Sequence, residues 1–126
     1  MSLRSPLGQV LGLGTAKNGT EHWWAQRVSA VALALLGPWF AALLVLADDL
    51  SYAVVIDLVG RPLNAVLLSL FCATVAYHSY LGLQVIIEDY VHTSGLKIVL
   101  LISIRFAHVF VAVTSVYAIL RIGIGT

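Results

Sequence analysis

The stretch Tyr77-His78-Ser79-Tyr80-Leu81-Gly82-Leu83-Gln84-Val85-Ile86-Ile87-Glu88-Asp89-Tyr90-Val91-His92 decides how this chain is read. It sets an imidazole well inside an apolar run and an acidic-aromatic pair where that run gives way to polar residues. Steps of four, three and four residues each make roughly one helical turn, so His78, Gly82, Val85 and Asp89 fall close to one helix face. An imidazole held inside a bilayer is expensive unless something binds it. These residues alone leave two answers open: a structural histidine satisfied by hydrogen bonds, or a ligand of haem iron. Gly82, one turn beyond His78, carries no side chain and would let a flat macrocycle lie against the backbone.

Outward from that stretch, composition points to a membrane. The 126 residues are 60% hydrophobic and 10% charged, and the mean hydropathy of +0.98 lies far outside the range of soluble domains. The length argues for one domain. It divides into an N-terminal cytoplasmic tail and interface segment over residues 1–24 and a membrane anchor over 25–126. A net charge of +1 leaves no basic surface for nucleic acid. The chain also lacks a Gly-rich phosphate loop, a Cys-x-x-Cys pair and a Gly-x-Ser-x-Gly elbow, so soluble enzyme chemistry is not expected. The single cysteine, Cys72, excludes an intrachain disulfide and reads as a small core residue. No signal-peptide core or Arg-rich transit pattern precedes residue 28, so the first span is expected to act as its own insertion signal.

Three spans are expected, over about residues 25–47, 63–87 and 96–122, giving an all-α membrane protein. Met1 to Gly19, rich in Gly, Ser and Pro, reads as a loose tail, and Glu21-His22-Trp23-Trp24-Ala25-Gln26-Arg27 has the makeup of a headgroup boundary. Trp23 and Trp24 read as interface anchors. Pro38 inside the first span removes a helical hydrogen bond, so a kink near Ala34 is expected. Asp48, Asp49 and Asp57 mark a first loop, and Arg61-Pro62 opens the second span. Twenty-five residues rise about 37 Å against a hydrocarbon core of about 30 Å, so that span should be long or tilted. His78 then sits roughly 14 Å from its far end, near the bilayer centre. Residues 88–97 read as the second loop, turning at Thr93-Ser94-Gly95.

Arg4, Lys17, Arg27 and Lys97 fall on one side of the membrane and Arg61 and Arg121 on the other, which places the N-terminus in the cytoplasm and the Asp89-Tyr90 end of the second span with it. Arg27, His78, Arg105 and His108 all need polar partners, yet the three spans contain no Asp or Glu. The chain therefore reads as one subunit of a heteromeric helix bundle, completed by another chain or a cofactor.

Two groups of residues, in order along the chain, resemble the smaller membrane-anchor subunit of succinate dehydrogenase (succinate:quinone oxidoreductase, complex II). The first is Asn18-Gly19, His22 and Arg27-Val28-Ser29-Ala30; the second, more specific, is His78, Gly82, Gln84-Val85 and Asp89-Tyr90-Val91. The resemblance implies that His78 is one axial ligand of haem b, the other coming from the larger cytochrome b anchor subunit. It implies that Tyr90 donates a hydrogen bond to a ubiquinone carbonyl, with Asp89 beside it, and that His22 and Arg27 lie near the haem propionates. Arg105 and His108 match no motif of the family. His108 is the internal rival of His78 as a ligand, but two ligands in one small subunit would depart from the family pattern.

The expected function is that of an anchor that oxidises nothing itself. It would hold haem b and a ubiquinone site beneath an iron-sulfur subunit and a flavoprotein subunit in a bacterial inner membrane. An anchor of fumarate reductase or of another quinone-linked cytochrome b complex is the alternative within this class. A small transporter or scaffold subunit is the alternative outside it, and it would show no b-type haem bands.

Overall fold

A computed structural model describes residues 16–125, with side chains from Thr20 onward. Four helices follow one another: α1 (Ala16–Val45), α2 (Tyr52–Gly60), α3 (Pro62–Tyr90) and α4 (Ser94–Gly125), with no strand among the described residues. The Thr20–Val45 part of α1, all of α3 and all of α4 are long and apolar enough to cross a membrane. At 1.5 Å per residue, the 29 residues of α3 and 32 of α4 run about 43 and 48 Å, so both must tilt or project beyond a core of about 30 Å.

The helices depart from the sequence expectations at their ends. Residues 16–19, expected in a loose tail, already belong to α1, since one glycine costs a helix only about 1 kcal/mol. The remainder of that expected tail, residues 1–15, lies outside the described residues. α1 runs on through Pro38, as membrane helices tolerate.

The first loop is a correction, because most of it is α2. Its residues are largely apolar, and the helix packs them on α3 and α4. Ser51 adopts the extended N-cap conformation and its N–H donates to Asp49 Oδ1 at 2.7 Å. The Ser51 hydroxyl first, and that N–H second, hold the Asp49 carboxyl below the usual carboxylate range. An exposed Arg61–Asp57 pair at 2.7 Å and a bond from Asn64 Nδ2 to the Leu58 carbonyl at 2.9 Å close the turn into α3.

The second loop is likewise shorter than residues 88–97 and comprises Val91, His92 and Thr93. Glu88, Asp89 and Tyr90 form the last turn of α3, held as helix by Val91 N–H on the Ile87 carbonyl at 3.0 Å and by Lys97 Nζ on the Glu88 carbonyl at 2.8 Å. A lysine reaching the orphan carbonyls of a helix end is a known way of satisfying them.

α3 is the centre of the molecule. It packs on α1 along one side and on α4 along the other, and α1 and α4 do not meet. Among the described residues, all five buried apolar ones, Ala65, Leu68, Ala76, Leu81 and Ile87, belong to α3. Phe40 of α1 stacks on Phe71 of α3 with centroids 4.8 Å apart, and α4 comes close enough to α3 that a Cβ on Gly123 would stand 3.3 Å from that of Ala65. Large side chains such as Leu35, Phe106 and Phe110 remain more than two-thirds exposed. Such an open row of helices is stable only where lipid or other subunits cover its outer faces.

Candidate functional site

His22, Gln26 and Ser29 recur at four- and three-residue steps along α1 and so share one stripe of that helix. The stripe meets α3 at His78. Ser29 is the one buried polar residue among those described. Its hydroxyl donates to the Gln26 carbonyl at 3.0 Å and lies 2.9 Å from His78 Nδ1. A hydroxyl has a single proton, already directed at Gln26, so His78 Nδ1–H is the donor to Ser29 Oγ. The imidazole is thereby set with its proton on Nδ1 and a lone pair on Nε2.

That lone pair faces only the Gln26 side-chain Nε2, at 3.4 Å, beyond the ordinary hydrogen-bond range. The same amide lies 3.8 Å from where a Cβ on Gly82 would be, so Gln26 covers the glycine face that sequence suggested for a macrocycle. Two buried polar atoms on the stripe, His22 Nε2 and Gln26 Oε1, have no hydrogen-bond partner. Buried polar atoms without a partner call for an explanation in any packed seam.

The expected site residues do not all gather there. Arg27 turns off the stripe and lies exposed over the Trp23 ring, 5.4 Å from its centroid, while Trp23 meets Trp24 edge-on. Arg27 and His22 are thus not brought together within this chain. Asp89 and Tyr90 stand three turns beyond His78, about 18 Å along α3. Both are exposed, Tyr90 by 78%, and their side chains make no hydrogen bond or ion pair among the described residues. No group of three His, Cys, Asp or Glu residues forms a closed metal centre among the described residues.

On the other side of α3, His108 Nδ1–H donates to the carbonyl of Ile104 at 2.7 Å, which leaves Nε2 as acceptor for the Ser79 hydroxyl at 3.2 Å. Arg105 directs Nε and an Nη at the Tyr80 hydroxyl, at 3.0 and 2.8 Å, and lies over the Tyr80 ring. Arg105 therefore has a partner, although the side chain stays exposed on this chain. Shallow apolar grooves of about 320 and 280 Å³ flank this seam. Sequence reasoning did not assign roles to Gln26, Ser29, Ser79 or Tyr80. The recurrence of His22, Gln26 and Ser29 at helical spacing was the available signal for the first two.

An open row of helices long and apolar enough to span a membrane, with polar seams midway along α3, defines a class of protein: a multi-pass helical membrane subunit. Comparison with known proteins narrows the class. The family described as succinate dehydrogenase/fumarate reductase transmembrane subunit matches residues 1–116. The succinate dehydrogenase hydrophobic membrane anchor subunit of Paracoccus denitrificans is 37% identical over 121 residues, covering 96% of this chain and 93% of that one. Its counterpart in Rickettsia bellii is 29% identical over 92% of this chain and 93% of its own. The membrane anchor subunit of Reclinomonas americana is 34% identical over 71% and 77% respectively. No solved structure matches. The chain belongs to the succinate dehydrogenase/fumarate reductase transmembrane subunits, as a membrane-anchor subunit of succinate dehydrogenase.

Proposed function

We propose that this anchor supplies His78 as one axial ligand of haem b and Tyr90, with Asp89, as part of the ubiquinone-reduction site of succinate:ubiquinone oxidoreductase. The observation that carries the proposal is the state of His78: half-buried in a spanning helix, its proton held on Nδ1 by Ser29, its Nε2 lone pair met only by a long amide contact. Ligating histidines commonly give their second ring N–H to such an acceptor. One imidazole leaves the sixth coordination position to another chain, the larger cytochrome b anchor subunit. His22, with its buried unpartnered Nε2, suits an acceptor-bearing neighbour such as a propionate, and Arg27 would serve the same end after leaving Trp23. When bound, haem b supplies a one-electron store between the iron-sulfur subunit and the membrane.

At the end of α3 the chemistry is that of a proton and a carbonyl. Reducing ubiquinone adds two electrons and two protons. The Tyr90 hydroxyl, uncommitted among the described residues, donates to a quinone carbonyl and stabilises the negative charge that develops there. Asp89 orients that tyrosine or passes protons to it. Electrons come from succinate oxidised on the flavoprotein subunit. The excess of Lys and Arg on one side supports an N-terminus and a quinone site at the cytoplasmic face of a bacterial inner membrane, as the Paracoccus and Rickettsia relatives suggest.

The test is a visible spectrum of the purified complex. His78→Ala should lose six-coordinate low-spin haem and, because the cofactor ties two subunits together, lower the thermal stability. His108→Ala should keep the wild-type bands. An unaltered low-spin spectrum in the His78 variant would reverse the assignment.

A further inference from the structure

We infer that Ser29 is a positioning residue for His78: its hydroxyl fixes the tautomer and the ring plane that the imidazole presents to haem iron. The inference rests on the haem reading above and extends it to a residue that does not itself touch the iron. Three features of the seam carry it. Ser29 is only 5% exposed, and no other described residue of α1 is buried. A buried hydroxyl in an apolar helix is retained at an energetic disadvantage unless it is bonded. Its bonds run in a fixed direction, from His78 Nδ1–H to Ser29 Oγ at 2.9 Å and from Ser29 O–H to the Gln26 carbonyl at 3.0 Å. The last acceptor is backbone on the same helical turn, so the relay is anchored to α1 itself rather than to a mobile side chain.

The consequence at Nε2 follows from proton counting. A neutral imidazole carries one N–H. With that proton held on Nδ1, Nε2 is obliged to present its lone pair toward whatever occupies the α1–α3 seam. In the chain alone it meets the Gln26 amide at 3.4 Å. Iron would use the same lone pair, so the Gln26 contact is the one replaced. The Ser29 bond lies on the opposite edge of the ring and persists. By accepting the Nδ1 proton's positive end, Ser29 also makes the imidazole a better donor, which favours ferric over ferrous iron. Bonding of ligating histidines to acceptors behind them typically alters metal affinity 10- to 100-fold.

The experiment compares Ser29→Thr with Ser29→Val in the complete purified complex. The pair has the same branching and similar volume and differs in the hydroxyl, so packing is held nearly constant. Haem content, low-temperature EPR of the ferric haem and a redox titration are read on each, with His78→Ala alongside. Ser29→Thr should keep the wild-type g values and midpoint potential. Ser29→Val should bind haem about tenfold more weakly, shift and broaden the low-spin EPR lines as the ring plane loses its anchor, and raise the midpoint potential. Ser29→Ala, smaller and less demanding of space, should repeat the Val result if the Val complex assembles poorly. Haem with wild-type EPR lines and potential in both Ser29→Val and Ser29→Ala overturns the inference while leaving His78 as ligand. A wild-type spectrum in His78→Ala instead overturns the haem assignment, and the role of Ser29 with it.

Discussion

The two seams of α3 hold one mid-helix histidine each, and they treat it differently. In the α3–α4 seam, His108 is satisfied from within: Nδ1–H on the carbonyl one turn back at 2.7 Å, Nε2 on Ser79 at 3.2 Å. Arg105 beside it gives two bonds to Tyr80. In the α1–α3 seam, His78 is anchored firmly on one edge and loosely on the other, and the His22–Gln26–Ser29 stripe of α1 carries two buried polar atoms with no partner among the described residues. The first arrangement is what a seam needs to hold two helices together in lipid, where interhelical hydrogen bonds are worth about 0.6 kcal/mol on average. The second leaves polar capacity unspent. On the haem reading proposed above, that unspent capacity is what the ligand takes up, and the same residue type in the same helix environment then carries different meanings.

The largest effect is expected where neither seam is touched. Tyr90→Phe deletes a hydroxyl and keeps the ring at the exposed end of α3, so haem bands, stability and succinate oxidation with an artificial acceptor should all survive. Ubiquinone reduction should fall about 10²- to 10³-fold, the loss of about 2.7 to 4 kcal/mol expected for a donor that acts in the transition state. The measurement is the ratio of quinone to artificial-acceptor activity in membranes. A wild-type ratio would return Tyr90 to the ordinary role of an interface tyrosine. Asp89→Asn should lower the ratio less.

Next in size is Tyr80→Phe, which removes the acceptor of both Arg105 bonds. Hydrogen bonds to a charged group contribute about 1.5 to 3 kcal/mol, and exposure of this side chain puts the expectation at the lower end. Thermal unfolding of the complex should report the loss while the haem spectrum stays unchanged. A spectral change as large as the change in stability would show that the seams are not independent. Arg105→Lys should lie between Tyr80→Phe and wild type, because an ammonium cannot reproduce a forked contact to one hydroxyl.

His108→Ala removes one bond across the seam, to Ser79, and one to the carbonyl of its own helix, and should cost about 0.6 kcal/mol for the interhelical bond. The smallest effect is expected for Gly123→Ala at the far end of the α3–α4 seam. The new Cβ would meet Ala65 at 3.3 Å, and the strain of that contact opposes the gain in helix propensity, leaving a net change within about 1 kcal/mol. A large loss of stability there would mean that this close approach, rather than the polar bonds, holds α4 in place.

Much of the architecture was legible in the chain because long apolar runs have few alternatives in a bilayer. Backbone groups there must be satisfied within the segment, so the three apolar stretches had to be helices. What was misread lies at the borders. Asp48, Asp49 and Asp57 give the region of α2 the polarity of a loop, and only its packing on α3 and α4 shows that the intervening Ala53 to Ile56 form a helix. The C-terminal turn of α3 was cut short at Glu88 for the same reason, since the carbonyl bond from Lys97 that sustains it comes from nine residues away.

By itself, then, the sequence determined the number of apolar helices of spanning length, the place of His78 well inside one of them and the adjacency of Asp89 and Tyr90 at its end, since each depends on local polarity and a period of 3.6 residues. The tertiary structure decided which of two histidines is internally satisfied and which keeps a lone pair in reserve. It also decided that Arg27 leaves the His22 stripe for Trp23, and that Gln26 and Ser29, to which the sequence assigned no role, are the groups that face His78. Helical spacing puts His22, Gln26 and Ser29 on one stripe but does not say what that stripe meets; hydrogen bonds across 49 and 52 residues of chain exist only once α1 is laid against α3, and the direction of a single hydroxyl proton then settles which nitrogen of His78 is free.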